Sequence, residues 1–73
     1  MAKIEIKSEI TGTVWKLKAK PGDRVENGDT LIVIESMKME IPVITEDGGT
    51  VVEILVHEAD PVAEGQVVAI LEE

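Results

Sequence analysis

Apolar and polar residues alternate with a period of two in two stretches of this chain. Trp15, Leu17 and Ala19 are interleaved with Lys16, Lys18 and Lys20, and Val52, Ile54 and Val56 recur in the same rhythm further on. A period of two sends successive side chains to opposite faces of a strand, so both stretches predict strands with these apolar residues facing a core. Residues 31–34 and 67–71 run instead without a polar break. They are rich in β-branched residues and too short for a stable helix, which predicts strands buried on both faces. Pro21-Gly22-Asp23, Asn27-Gly28-Asp29 and Glu64-Gly65-Gln66 punctuate these runs as turns. No segment keeps a helical period.

The pattern repeats itself. A shift of 37 positions, with Gly49 on Gly12, aligns residues 9–35 with residues 46–72 without a gap. Glu9/Glu46, Gly12/Gly49, Thr13/Thr50, Val14/Val51, Asp23/Asp60, Val25/Val62, Gly28/Gly65 and Glu35/Glu72 are identical pairs. Each copy reads as four strands, and neither can bury its apolar face alone. Two such copies are expected to pack as a two-sheet sandwich about a pseudo-twofold axis, one unit spanning residues 1–73. Ala59 stands where the first copy has Gly22. If that turn needs a positive φ, alanine suits it less well, and a different turn is expected in the second copy. The segment joining the copies occupies the place that the chain ends occupy in the other half. Whatever sits at 36–40 is therefore expected at the opposite end of the molecule from both termini.

Composition narrows the function. The 73 residues hold 15 Asp and Glu against 7 Lys and Arg, a net charge of −8. Phosphate backbones attract clustered cations, and the single aromatic residue, Trp15, offers no stacking platform, so nucleic acid is not an expected partner. The longest apolar run falls far short of the ~20 residues of a membrane helix, which leaves no membrane role and a cytoplasmic location as the expectation. No cysteine and one histidine exclude thiolate and multi-histidine metal sites and a thiol nucleophile. A chain this short buries only ~60% of the surface its unfolded form exposes, which leaves little room for a deep catalytic cleft. Ser36 and His57 lack the orienting group and oxyanion hole of a nucleophilic triad. His57 aligns with Lys20 and is expected on the surface, and the repeated Asp23 and Asp60 point to turn formation.

One segment is left unexplained by packing. Glu35-Ser36-Met37-Lys38-Met39-Glu40 lies between two aliphatic strands and reads as a β-hairpin with Lys38 at its tip. It lacks the Asn-Gly or Asp-Gly of a tight turn, so some constraint other than local propensity shapes it. Met37 and Met39, at two-residue spacing, share one side of the hairpin, and at least one is expected to be partly buried. Exposed methionines at a tip otherwise suit recognition by a partner.

The tip resembles the attachment motif of the biotinyl/lipoyl carrier family, in which a modified lysine lies between two methionines, usually as Ala-Met-Lys-Met. The paired Gly-Thr-Val starts, the Pro-Gly-Asp-x-Val turn, the Gly28 turn and the repeat extend the resemblance over residues 4–71. It implies an all-β fold, a flattened eight-stranded barrel or sandwich with the lysine on an exposed hairpin. It further implies that Lys38 becomes amide-linked to biotin by a biotin protein ligase, that Met37 and Met39 help the ligase recognise the tip, and that Glu35, Ser36 and Glu40 complete the segment it reads. Ser36 replaces the commoner alanine, and with both residues small, little effect is expected.

By the same resemblance the chain is a non-catalytic carrier. Carboxybiotin on Lys38 would travel between the biotin carboxylase and carboxyltransferase subunits or domains of a biotin-dependent carboxylase, with the isolated carrier a monomer. A free lysine amine has a pKa of ~10.4 and is a poor nucleophile at neutral pH, so the ligase must supply an activated biotinyl group. The rival is a lipoyl carrier, in which lipoate is attached to the lysine. Lipoyl domains usually place an acidic residue before it and a small one after, and Met37-Lys38-Met39 departs from that pattern. An unmodified β-barrel adaptor binding through its edges is the second rival.

Overall fold

The computed structural model describes residues 2–73. Eight strands follow in order: β1 (Lys3–Lys7), β2 (Gly12–Leu17), β3 (Arg24–Val25), β4 (Thr30–Ser36), β5 (Met39–Ile44), β6 (Gly49–Ile54), β7 (Pro61–Val62) and β8 (Val67–Glu72). They form two antiparallel four-stranded sheets, in the orders β1-β8-β6-β3 and β5-β4-β2-β7. Exchanging β1 with β5, β2 with β6, β3 with β7 and β4 with β8 turns one order into the other. The repeat in the sequence is thus a pseudo-twofold in space. Each sheet takes two strands from each copy, so the copies are interleaved and share one core.

That core is built from Val14, Leu31, Ile32 and Ile34 of the first copy and Val51, Val68, Ala69 and Leu71 of the second, all buried. Two pairs of symmetric irregularities decide which residues reach it. In β2 the register slips between Val14 and Lys16, and in β6 between Val51 and Glu53. Each slip inserts one extra residue, Trp15 or Val52, and turns it outward. Trp15 is 42% exposed and Val52 39%. The expected inward rows therefore need correction: Val14 and Val51 point into the core in place of Trp15 and Val52, while Ala19 and Val56 are buried as expected. The second pair of slips skips Leu31 in the β4–β5 ladder and Val68 in the β1–β8 ladder. These bulges let Leu31 and Ile32, and Val68 and Ala69, enter the core as consecutive residues. All of residues 31–34 are buried, whereas Val67 and Ile70 in the equivalent run are only half-buried.

The turns obey the symmetry as well. Asp23 accepts from the Lys20 amide at 3.1 Å through Oδ2 and donates its own amide to the Lys20 carbonyl at 3.0 Å; Asp60 does the same with His57 at 2.9 and 3.1 Å. Both aspartates are turn formers, and His57 lies exposed. Ala59 adopts φ 76° where Gly22 has φ 95°. The second copy thus uses the same turn as the first with a residue that fits it less well, because Ala59 N donates to Val14 O, and Gly22 N to Val51 O, both at 2.8 Å. Those bonds fix the left-handed conformation from outside the turn.

The path of β5 sets the poles of the molecule. From Met39 at the tip it runs six residues to Ile44, roughly 20 Å at about 3.3 Å per residue. A short connection then reaches Gly49, where an added Cβ would lie 2.7 Å from Glu72 O, and the Glu73 amide donates to Ala2 O at 3.0 Å. Ala2 and Glu73, the first and last described residues, therefore gather at the pole opposite residues 36–39. The described residues measure 36 × 17 × 17 Å, so the tip and the ends occupy the two poles of the long axis.

Candidate functional site at the β4–β5 tip

The β4–β5 ladder is regular from Val33 opposite Pro42 to Ser36 opposite Met39. Its closing turn contains only Met37 and Lys38, at φ 52° and 66°. Two consecutive left-handed residues are the mark of a type I′ hairpin turn, the tight turn that the sequence does not ask for. Neither is glycine or asparagine, and a side chain held in this region costs roughly 1–2 kcal/mol per residue. The ladder below supplies the constraint. Ile34 is buried in the core, Ile41 opposite it is half-buried, and β2 flanks β4 on its other side, with Thr13 opposite Glu35.

A close approach at Gly12 completes the support. A Cβ there would meet Glu35 O at 2.5 Å, Ile34 Cγ2 at 2.8 Å and Ser36 Cβ at 3.2 Å, so only glycine lets the start of β2 pack this tightly against the hairpin. Ser36 is half-buried, and its hydroxyl donates to Thr11 O at 3.0 Å. The Thr11 hydroxyl in turn accepts from the Glu64 amide at 3.0 Å. Alanine at position 36 would lose the first of these bonds, a contact that residue size alone does not reveal. Thr11 escaped the sequence reading because it is not repeated; its counterpart is Gly48.

All six predicted site residues fall on this one hairpin. Met37 is 93% exposed because it lies within the turn itself, and Met39, the first residue of β5, is 64% exposed, so the expected partial burial fails for Met37 and is slight for Met39. Lys38 is exposed between them and takes part in no ion pair among the described residues. Glu35 and Glu40 lie directly opposite each other and are both exposed, a like-charge pair that disfavours the ladder. Two exposed methionines flank the lysine in sequence and a like-charge pair lies beneath it on the ladder, arrangements that do not favour the fold.

A rigid β scaffold that holds one free amine at its pole is the form of a carrier, which presents a group for other proteins to act on. The family described as biotin-requiring enzymes matches over residues 2–71. The biotin/lipoyl attachment protein of Bacillus subtilis is 42% identical over 59 residues, 81% of each chain. The urea carboxylase of Kluyveromyces lactis superposes with a TM-score of 0.93 at 40% identity, over 99% of this chain and 6% of that one. The lipoyl domain of the 2-oxoglutarate dehydrogenase complex of Azotobacter vinelandii gives a TM-score of 0.79 at 32% identity over 96% of both. The chain belongs to the biotinyl/lipoyl attachment domain family, whose members are small, non-catalytic carrier domains of the flattened barrel-sandwich fold. The tip suits the groups this family carries, because an amide to biotin or lipoate requires an accessible amine and Lys38 is exposed at the apex.

Proposed function

We propose that this chain is a biotin carboxyl carrier and that Lys38 is its attachment residue. The observation that carries this reading is an exposed lysine held at the apex of a strained two-residue turn between two exposed methionines. In the attachment reaction the Lys38 Nζ, after losing a proton to the ligase, attacks the carbonyl of the activated biotinyl group; an amide forms and the activating group leaves. Met37 and Met39 offer adaptable apolar contacts to the ligase. Glu35 and Glu40 flank them with negative charge, and Ser36 holds the base of the turn. Attached biotin supplies a ureido ring that takes up a carboxyl group at one active site and releases it at another. The domain contributes reach and confinement: tethering raises the effective concentration of the arm at both sites, and chain ends at the far pole leave the tip clear.

Biotin is favoured over lipoate by the methionine on each side of Lys38, since lipoyl domains usually carry an acidic residue before the lysine and a small one after it. The relative from B. subtilis is described as a biotin/lipoyl attachment protein, and lipoate is the second reading. The partners are then a biotin protein ligase and the biotin carboxylase and carboxyltransferase of a biotin-dependent carboxylase. The carrier role is tested by loading the protein with biotin and supplying a biotin carboxylase, ATP and labelled bicarbonate. Label retained on the protein, and discharged when a carboxyltransferase and its acceptor are added, is the expected result; a biotinylated protein that never acquires label would contradict it.

A further inference from the structure

The pseudo-twofold provides an internal comparison for the tip. At both poles a glycine, Gly12 or Gly49, lets a strand approach the carbonyl of Glu35 or Glu72, its repeat partner, to within 2.5 or 2.7 Å of where a Cβ would lie. That feature belongs to the fold. The two hydroxyl contacts do not. Ser36 Oγ donates to Thr11 O, and Thr11 Oγ1 accepts from Glu64 N, both at 3.0 Å. Under the repeat, Thr11 corresponds to Gly48 and Ser36 to Glu73, neither of which carries the alcohol hydroxyl that makes these bonds. The pole that carries the lysine is therefore fastened by a pair of side-chain bonds that the other pole cannot make.

The fastening reaches across the molecule. Thr11 stands just before β2, Ser36 ends β4, and Glu64 lies in the turn between β7 and β8, where Gly65 N already donates to Ser8 O at 2.7 Å. Thr11 uses its carbonyl toward the hairpin and its hydroxyl toward that turn, so the base of the tip is tied to both. Directly above Ser36 the chain enters two left-handed residues, Met37 and Lys38. A turn of unfavourable conformers unravels toward extended ones unless its base is held.

We propose that Ser36 and Thr11 are positioning residues for the modification of Lys38: their hydroxyl bonds keep the Met37-Lys38 turn in the conformation that the modifying ligase binds. The inference rests on the reading of Lys38 as the attachment residue. Without the bonds a smaller fraction of molecules holds that conformation, which raises the apparent KM in proportion and leaves kcat unchanged. One exposed hydrogen bond shifts the equilibrium of the turn by about two- to tenfold, which is the ceiling on the rise in KM.

The test is steady-state biotinylation of the parent, Ser36→Ala, Ser36→Thr and Thr11→Val by a biotin protein ligase, with backbone NMR order parameters of Met37 and Lys38 measured on the unmodified proteins. Ser36→Ala and Thr11→Val are expected to raise KM by up to that factor at constant kcat and to lower the order parameters at the tip, while Ser36→Thr, which keeps the hydroxyl, restores both. Unchanged KM and order parameters in Ser36→Ala, beside a parent that is modified, would overturn the inference alone. A parent that is folded and never modified at Lys38 would overturn the functional reading and the inference together.

Discussion

Ala59 sits at φ 76° in a turn whose first-copy counterpart is Gly22 at φ 95°. Nothing crowds the Cβ position at Gly22, so what separates the two residues is the backbone conformation itself. Ala59→Gly is expected to stabilise the protein by up to about 1 kcal/mol, the relief of the left-handed penalty partly offset by the greater freedom of glycine in the unfolded chain. Gly22→Ala should cost a similar amount, and thermal unfolding of the two variants would check the pair. The tip follows the same chemistry with a different outcome. Met37→Asn places a residue that tolerates φ 52° in the type I′ turn and is expected to raise the unfolding midpoint. Biotinylation should weaken, because the side chain offered to the ligase is gone. Modification that is undiminished in a stabilised variant would show that Met37 is not kept for recognition.

The β4–β5 hairpin works as an element because a neighbour supports it. Gly12→Ala would press a Cβ against the Glu35 carbonyl and Gly49→Ala against the Glu72 carbonyl, and each should destabilise by at least about 2 kcal/mol through overpacking against backbone. Compared at equal folded fraction, only Gly12→Ala is expected to slow modification of Lys38, since only that contact underlies the tip. At this scale the repeat made much of the architecture legible: strand succession, turn positions and polar placement of residues 36–40 all follow from the alignment of the copies. The bulges were not legible. Trp15 and Val52 keep the alternation of a flat strand with Leu17 and Ile54, and only pairing with β4 and β8 makes each an extra residue that faces water. The type I′ turn was hidden for a related reason, as Met37 and Lys38 carry no turn propensity and owe their conformation to the ladder beneath them. The contact of Ser36 with Thr11 spans 25 positions, beyond the reach of any local pattern.

In the whole molecule the two copies exchange strands, so the core cannot be divided and the tip is carried on a body without an internal hinge between halves. The long axis separates the site from the chain ends, which suits a domain that is gripped at one pole and processed at the other. A net charge of −8 distributed over so small a surface favours solubility and disfavours self-association. It also makes encounter with a ligase sensitive to salt wherever the ligase presents basic groups near its active site. All of this depends on one residue bearing the carried group. The most direct measurement is the intact mass of the parent and of Lys38→Arg after co-expression with a biotin protein ligase and a lipoate ligase in medium containing both biotin and lipoate. A single biotinyl increment on the parent and none on Lys38→Arg is the predicted result. A lipoyl increment would reassign the domain to acyl-group transfer, and a folded parent with no increment, or an increment that survives Lys38→Arg, would contradict the account.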